Sequence, residues 1–194
     1  MQYSIIAADP PWMYDDKCSA GERGAAYHYP LMRDGDILNL PVWRLAEPDA
    51  TLFLWVTFPR LPLGIEVMRA WGFQYKTVGF VWVKMSKEGT PLWGMGNWTR
   101  ANAEIVLIGT RGNPKRVDGG VHQVVFAERG AHSEKPAEVY HKIETLMGDF
   151  SRVELFARKP RLGWDVFGNE VDGKDIREAL KSIPVPNEQF VLGI

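Results

Sequence analysis

YSIIAADPPW, residues 3–12, is the stretch on which the fold turns. Tyr3 to Ala8 form a short apolar run without polar alternation, the pattern of a strand buried on both faces. Asp9-Pro10-Pro11 stops it, because the two prolines fix φ twice and remove two backbone donors. In an α/β sheet, ligands bind beyond the carboxyl ends of the strands. Asp9 to Trp12 occupy such an end, which makes them the first place to look for chemistry.

The rest of the chain supplies partners for that strand. Thr51 to Phe58, Thr77 to Met85 and Ala103 to Gly109 read as further buried strands, with a short fifth at Val121 to Ala127. Arg152 to Ala157 and Asp165 to Val171 add two more. A helix is expected over Leu61 to Trp71, with Leu63, Val67, Met68 and Trp71 near one face and Gly72 closing it. A second runs from Pro136 to Met147, with Val139, Ile143 and Leu146 on one face and Gly148 as its stop. A third lies near Lys174 to Lys181. Residues 13–36 and 86–102 have loop composition. Apolar strands interleaved with helices predict an α/β sheet covered on both faces.

Composition agrees and removes other classes. At 194 residues, with 45% hydrophobic and 24% charged, the chain fits one globular domain over 1–194, with an elaborated loop near 86–102 and a tail near 182–194. The lone Cys18 excludes an internal disulfide and cysteine-rich zinc sites. His28, His122, His132 and His141 have no metal-site spacing, so no metal is expected. A net charge of −1 gives no bulk attraction to a polyanion, although a local basic face remains compatible with it. No apolar run is long enough to span a bilayer, and the amino terminus lacks a signal-peptide pattern. The expectation is a soluble, cytoplasmic protein without a membrane partner.

Asp9-Pro10-Pro11-Trp12 can be read chemically. The carbonyls of Asp9 and Pro10 form a rigid acceptor array, the Asp9 carboxylate adds another acceptor, and Trp12 supplies a flat apolar face. Acceptors beside an aromatic plate suit an exocyclic amine on a planar base. Such an amine is a poor nucleophile, because its lone pair is delocalised into the ring. Hydrogen bonds to its two N–H groups favour a tetrahedral nitrogen that can attack a methyl group in line. The plain alternative is a Pro-Pro loop leaving a strand, with Trp12 packed on the core.

The tetrapeptide resembles the signature of nucleic-acid adenine-N6 methyltransferases, the family typified by the catalytic subunit of the eukaryotic mRNA adenosine methyltransferase. The likeness extends through TLFLWV (51–56), WGF (71–73), VWVK (81–84), AEIVLIGTRGNP (103–114), HSEKPAEVY (132–140), VELFAR (153–158) and GNE (168–170), in the expected order and over nearly the whole chain. It implies a Rossmann-like methyltransferase sheet in permuted order, with the catalytic strand first and the cofactor strand last. It also implies S-adenosylmethionine (SAM) lying across the carboxyl ends of both.

Residue roles follow from the resemblance. Asp9 would contact the target amine and the cofactor ammonium, with Pro10, Pro11 and Trp12 completing the catalytic turn. Phe156 and Arg158 would line the cofactor cleft. Asn169 and Glu170 match positions that hold the cofactor ribose, where the family more often has an amide in place of Glu170. Lys135 matches a lysine that pairs with the cofactor carboxylate. Tyr29 falls in a gating loop where an aromatic stacks on the target base. Asn102 and Glu104 lie near the substrate edge. Trp93 and Trp98, with Lys84, Lys87 and Arg100, suit either a splayed nucleic-acid strand or a protein interface.

Two departures stand out. Only eight residues precede Asp9, where larger members carry a segment over the cofactor adenine, and no zinc-finger module is present. The compact form resembles stand-alone prokaryotic or phage members. The expected function is SAM-dependent methylation of adenine N6 in nucleic acid, DNA favoured over RNA, with a homodimer or heterodimer as ways to complete the binding groove. A catalytically inactive scaffold or RNA-binding subunit is a competing reading, which SAM binding would discriminate. Methylation of another amine, such as cytosine N4, is a third.

Overall fold

The computed structural model describes residues 2–13, 31–94, 98–130, 134–168, 170–171, 173 and 175–184. Seven strands form one sheet: β1 (Tyr3–Ala8), β2 (Ala46–Val56), β3 (Gln74–Met85), β4 (Ala103–Arg111), β5 (Val124–Glu128), β6 (Arg152–Leu155) and β7 (Asp165–Phe167), in the order β5-β3-β4-β2-β1-β6-β7. The helices are α1 (Asp34–Leu38), α2 (Leu61–Ala70), α3 (Ala137–Met147) and α4 (Ile176–Lys181).

The expected α/β, Rossmann-like order is present. β1 lies between β2 and β6 and is parallel to both, with Ala8 opposite Leu54 on one side and Leu155 on the other. β7 and β5 continue the parallel arrangement at the two edges. β4 alone runs the other way, antiparallel to β2 and β3. Its reversal matters for function. The first residues of β4 arrive at the rim where the other strands end, so Glu104 joins that rim by starting a strand rather than ending one.

Both faces are covered, as the apolar runs predict. On one face, α1, α2 and α4 bury Ile37, Val67, Met68, Ile176 and Leu180 against Ile6, Ala8, Leu52 and Leu54. On the other, α3 buries Val139, Tyr140, Ile143 and Met147 against Ile5, Ala7, Phe53, Trp55 and Val106. Burial of an aliphatic side chain contributes roughly 1.5–3 kcal/mol, so these two layers supply the main drive to fold. Trp55 and Trp82 meet edge to face at 6.2 Å on the α3 side.

Several boundaries differ from the sequence expectations. β2 begins at Ala46, five residues before the apolar run, because Pro48 and Asp49 sit at exposed positions where a missing donor is tolerated. The stretch 13–36, expected as loop, contains the start of α1. That helix has only five residues, too few for a periodic signal, and is fixed by the buried Ile37 and by the Trp71 indole donating to the Ile37 carbonyl at 2.8 Å. β6 ends at Leu155 because Phe156 takes φ +63°, a left-handed conformation that breaks the ladder. β7 ends at Phe167, where Gly168 passes the backbone of Ala157 so closely that a Cβ would lie 2.3 Å from its carbonyl oxygen. Phe58 belongs to a short 3-10 turn rather than to β2.

Candidate active site

Strand alternation delivers the site. In β1, Ile5 and Ala7 face α3, so Asp9, two residues further on, is directed to that side. In β4 the same phase carries Val106 and therefore Glu104. In β3 it carries Trp82 and then Lys84, and in β6 Glu154 faces α3 between Val153 and Leu155. The carboxylates Asp9, Glu104 and Glu154 and the amine of Lys84 thus share one face at one rim.

Lys135 closes this arrangement from above. It sits two residues before α3, and its ammonium lies 2.8 Å from Asp9 Oδ2 and 3.3 Å from Glu104 Oε2, over the ring of Trp55 at 5.4 Å. Lys84 pairs with the other oxygen of Glu104 at 2.5 Å. Side-chain exposure is 10% for Lys135, 23% for Asp9 and 17% for Glu104, so the pairs are poorly screened by water.

The electrostatics follow from burial and pairing. Burial pushes the Asp9 carboxyl above the usual carboxylate range, with Lys135 opposing and Glu104 and Glu154 adding to the rise. Glu104 is held below its usual value: burial acts against this, but Lys135 and Lys84 outweigh it. Lys135 is pushed up despite its burial, because Asp9 and Glu104 favour the ammonium. The result is a fixed row of alternating charges, Asp9–Lys135–Glu104–Lys84.

Two cavities meet at this row. The larger, about 460 Å³, runs from Lys84, Glu104 and Lys135 past Asp9, Pro10 and Pro11 to Phe156, Arg158, Gly168 and Glu170. Its far wall is built from Met32, Asp36, Asp175 and Arg177. The smaller, about 240 Å³, lies on the α3 side, between Asp9, Lys135, Phe156, Arg158 and Glu170 above and Tyr140, Glu154 and Arg161 below. The larger falls within the usual size range of small-molecule sites.

The structure brings most of the expected residues together. Asp9, Pro10, Pro11, Trp12, Glu104, Lys135, Phe156, Arg158 and Glu170 all line the larger cavity. Trp12 differs from the open plate expected of it. It is 4% exposed, and its indole donates to the Trp55 carbonyl at 3.1 Å, so it anchors the Pro-Pro turn to β2 and shows the cavity only a small surface. Lys135 pairs with Asp9 and Glu104. Arg158 and Glu170 pair with each other at 2.9 Å.

Two expectations land outside the cavity. Asn102 uses its amide to clasp the 86–102 loop, donating to the carbonyls of Lys84 and Leu92. Trp98 is 98% exposed on that same loop and is not part of the cavity wall. Tyr29 and Asn169 lie outside the described residues. Sequence reasoning missed Trp55, Tyr140, Glu154 and Arg161. The signal for Glu154 was present: a carboxylate inside the apolar run VELFA, on the inward phase, demands a partner.

Comparison with known proteins agrees with the fold. The MT-A70 family model matches residues 3–170. A type II methyltransferase of Mycoplasma sp, M.MunI, is 32% identical over 193 residues, covering 90% of this chain and 80% of that protein. The N(6)-adenosine-methyltransferase catalytic subunit of Homo sapiens is 31% identical over 179 residues, 89% of this chain and 29% of that protein. An MT-A70-like N(6)-adenosine-methyltransferase of Drosophila melanogaster is 30% identical over 177 residues, 89% and 27%. The chain therefore spans most of the Mycoplasma enzyme and under a third of the two animal proteins. With the family model covering most of its length and Asp9-Pro10-Pro11-Trp12 at the centre of a built cavity, the chain belongs to the MT-A70 family and is a methyltransferase.

Proposed function

We propose that this chain transfers a methyl group from SAM to the N6 amine of adenine in nucleic acid, with DNA favoured over RNA. One observation carries the reading: an ionisable carboxylate, Asp9, is fixed at the carboxyl end of β1 beside a rigid Pro-Pro turn, where two cavities meet. A displacement at carbon needs its two reactants on opposite sides of the transferred methyl. The two spaces share Asp9, Lys135, Phe156, Arg158 and Glu170, which leaves room for two reactants beside one carboxylate.

The residues present suit the cofactor. Phe156 offers an apolar wall, Glu170 an acceptor for ribose hydroxyls, Arg158 and Lys135 cations for a carboxylate, and Asp9 an acceptor for an ammonium. When bound, SAM supplies an electrophilic methyl group on a sulfonium. Asp9 would accept an N–H of the target amine, which localises the nitrogen lone pair and offsets the positive charge that develops there. The neutral thioether would be the leaving group, and the surplus proton of the methylated nitrogen would pass to water. Glu104, kept ionised by Lys84 and Lys135, presents a second acceptor to the same space. Lys135 holds both carboxylates in register, so little reorganisation is needed during transfer. A base inside a duplex must first leave the stack, at a cost of a few kcal/mol.

The preference for DNA rests on the likeness to a type II methyltransferase, 32% identical and matched over 80% of its own length. Paired DNA and RNA oligonucleotides of one sequence, incubated with protein and SAM, test this. Faster methylation of the DNA is expected, and methylation of the RNA alone would reverse the assignment.

A further inference from the structure

Beneath the charge row, in the wall of the smaller cavity, lies a second polar cluster to which the proposed reaction assigns no step. Glu154, on β6, is buried, although its strand neighbours Val153 and Leu155 are apolar and fully buried on the opposite face. The Tyr140 hydroxyl donates to its Oε1 at 2.7 Å and the Arg161 Nε donates to its Oε2 at 2.9 Å. The Arg161 guanidinium stacks on the Tyr140 ring, 3.4 Å from its centre. Trp164 meets Tyr140 edge to face at 5.6 Å and donates its indole N–H to Glu144 of α3 at 2.7 Å. Three separate segments therefore converge on one carboxylate: β6, the loop that follows it, and α3.

A buried ion pair is weak evidence for stability, because apolar side chains of similar volume usually do as well. What this one adds is geometry. β6 is hydrogen-bonded to β1, with Glu154 opposite Ala7, two residues before Asp9. Tyr140 lies five residues after Lys135, on the helix that starts two residues beyond it. The cluster thus links β6, the strand paired with β1, to α3, the helix that follows Lys135. The Tyr140–Glu154 hydrogen bond joins α3 directly to β6.

We propose that Glu154, Tyr140 and Arg161 are positioning residues: by tying α3 to the strand beside β1, they hold the Lys135 ammonium on Asp9 and Glu104 and so set the rate of transfer. The part concerning rate rests on the methyl-transfer reading above. The part concerning the placement of Lys135 does not.

Two measurements separate them. The first uses the protein alone. An amine-acylating reagent is applied to wild type, Tyr140→Phe and Glu154→Gln below their melting temperatures, and each lysine is followed by peptide mass spectrometry. Lys135 is shielded and ion-paired in wild type, so its acylation is slow beside that of the exposed Lys87 and Lys115. Both variants are expected to raise it several-fold relative to those two lysines. Unchanged Lys135 acylation in folded variants would overturn the proposal, as would loss of the folded state in both variants, which would assign the cluster to stability alone.

The second is a double-mutant cycle on single-turnover methylation at saturating SAM. Tyr140→Phe is expected to slow transfer roughly tenfold when Lys135 is present and to have little further effect in the Lys135→Met background. Equal losses in both backgrounds would overturn the coupling. A wild-type protein that transfers no methyl group would defeat the functional reading, while the acylation result would still decide the positioning one.

Discussion

Replacing Lys135 by Met removes the only side chain that bridges Asp9 and Glu104 among the described contacts. At an effective dielectric constant of about 20, contacts at 2.8 and 3.3 Å are each worth about 5–6 kcal/mol of gross attraction. Desolvation of the three groups offsets most of that. What remains visible is the cost of orphaning a buried charge, about 3–5 kcal/mol when one partner of such a pair is deleted. Glu104 keeps Lys84, so the lower figure applies, and Asp9 is the group left exposed to the penalty. The loss should also depend on pH. Without Lys135, the carboxyl of Asp9, already pushed up by burial, rises further in the folded state. A group raised in this way contributes stability below its unfolded value and loses it as pH climbs through the folded value. The deficit of the variant should therefore be near 3 kcal/mol at about pH 7.5 and shrink as pH falls toward the ordinary carboxylate range. Urea denaturation of both proteins at several pH values measures it, read as a shift in midpoint at constant slope. A deficit under about 1 kcal/mol, or one constant across pH, would refute the buried charge row and make Lys135 a surface ion pair.

Asp9→Asn should slow single-turnover methylation by roughly 100- to 1,000-fold while leaving the thermal transition in place, because the turn needs its shape but not its charge. Turnover close to wild type would remove Asp9 from the chemistry. Gly168→Ala should destabilise by at least about 2 kcal/mol, since its Cβ would lie 2.3 Å from the Ala157 carbonyl oxygen and 2.8 Å from its nitrogen; an unchanged melt would contradict that close approach. Trp98→Ala should change stability by less than about 0.5 kcal/mol, its side chain being fully in solvent. If it stacks on a displaced base, single-strand affinity should fall by about 1–3 kcal/mol in a titration, and unaltered affinity would free the loop for another role.

The parts of this molecule legible in its sequence are those governed by short-range pattern. Tyr3 to Ala8 could be read as a buried strand because both faces are apolar, and Asp9 as its functional end because two prolines follow. Lys135 and Glu104 were visible as candidates, but not as partners. Their meeting depends on β4 running against its neighbours, and strand direction leaves no mark on the run AEIVLIG. Trp12 misled for a related reason: an indole next to a reactive carboxylate looks like a stacking plate until its N–H is seen spent on the Trp55 carbonyl. Phe156 gave no warning of its positive φ, since that conformation is imposed by the turn from β6 toward Arg158 and not by a glycine. The Tyr140–Glu154–Arg161 cluster joins residues on three elements. Only the unexplained carboxylate in VELFA hinted at it.

The central claim is methyl transfer to adenine N6 by this chain, and it is tested most directly by identifying the product. Protein is incubated with isotopically methyl-labelled SAM and mixed-sequence DNA, the nucleic acid is digested to nucleosides, and the labelled nucleoside is identified by mass and chromatographic retention. The account predicts that the label appears in N6-methyldeoxyadenosine and is lost with Asp9→Asn. Label in N4-methylcytidine species, or no label in wild-type reactions on either DNA or RNA, would contradict it.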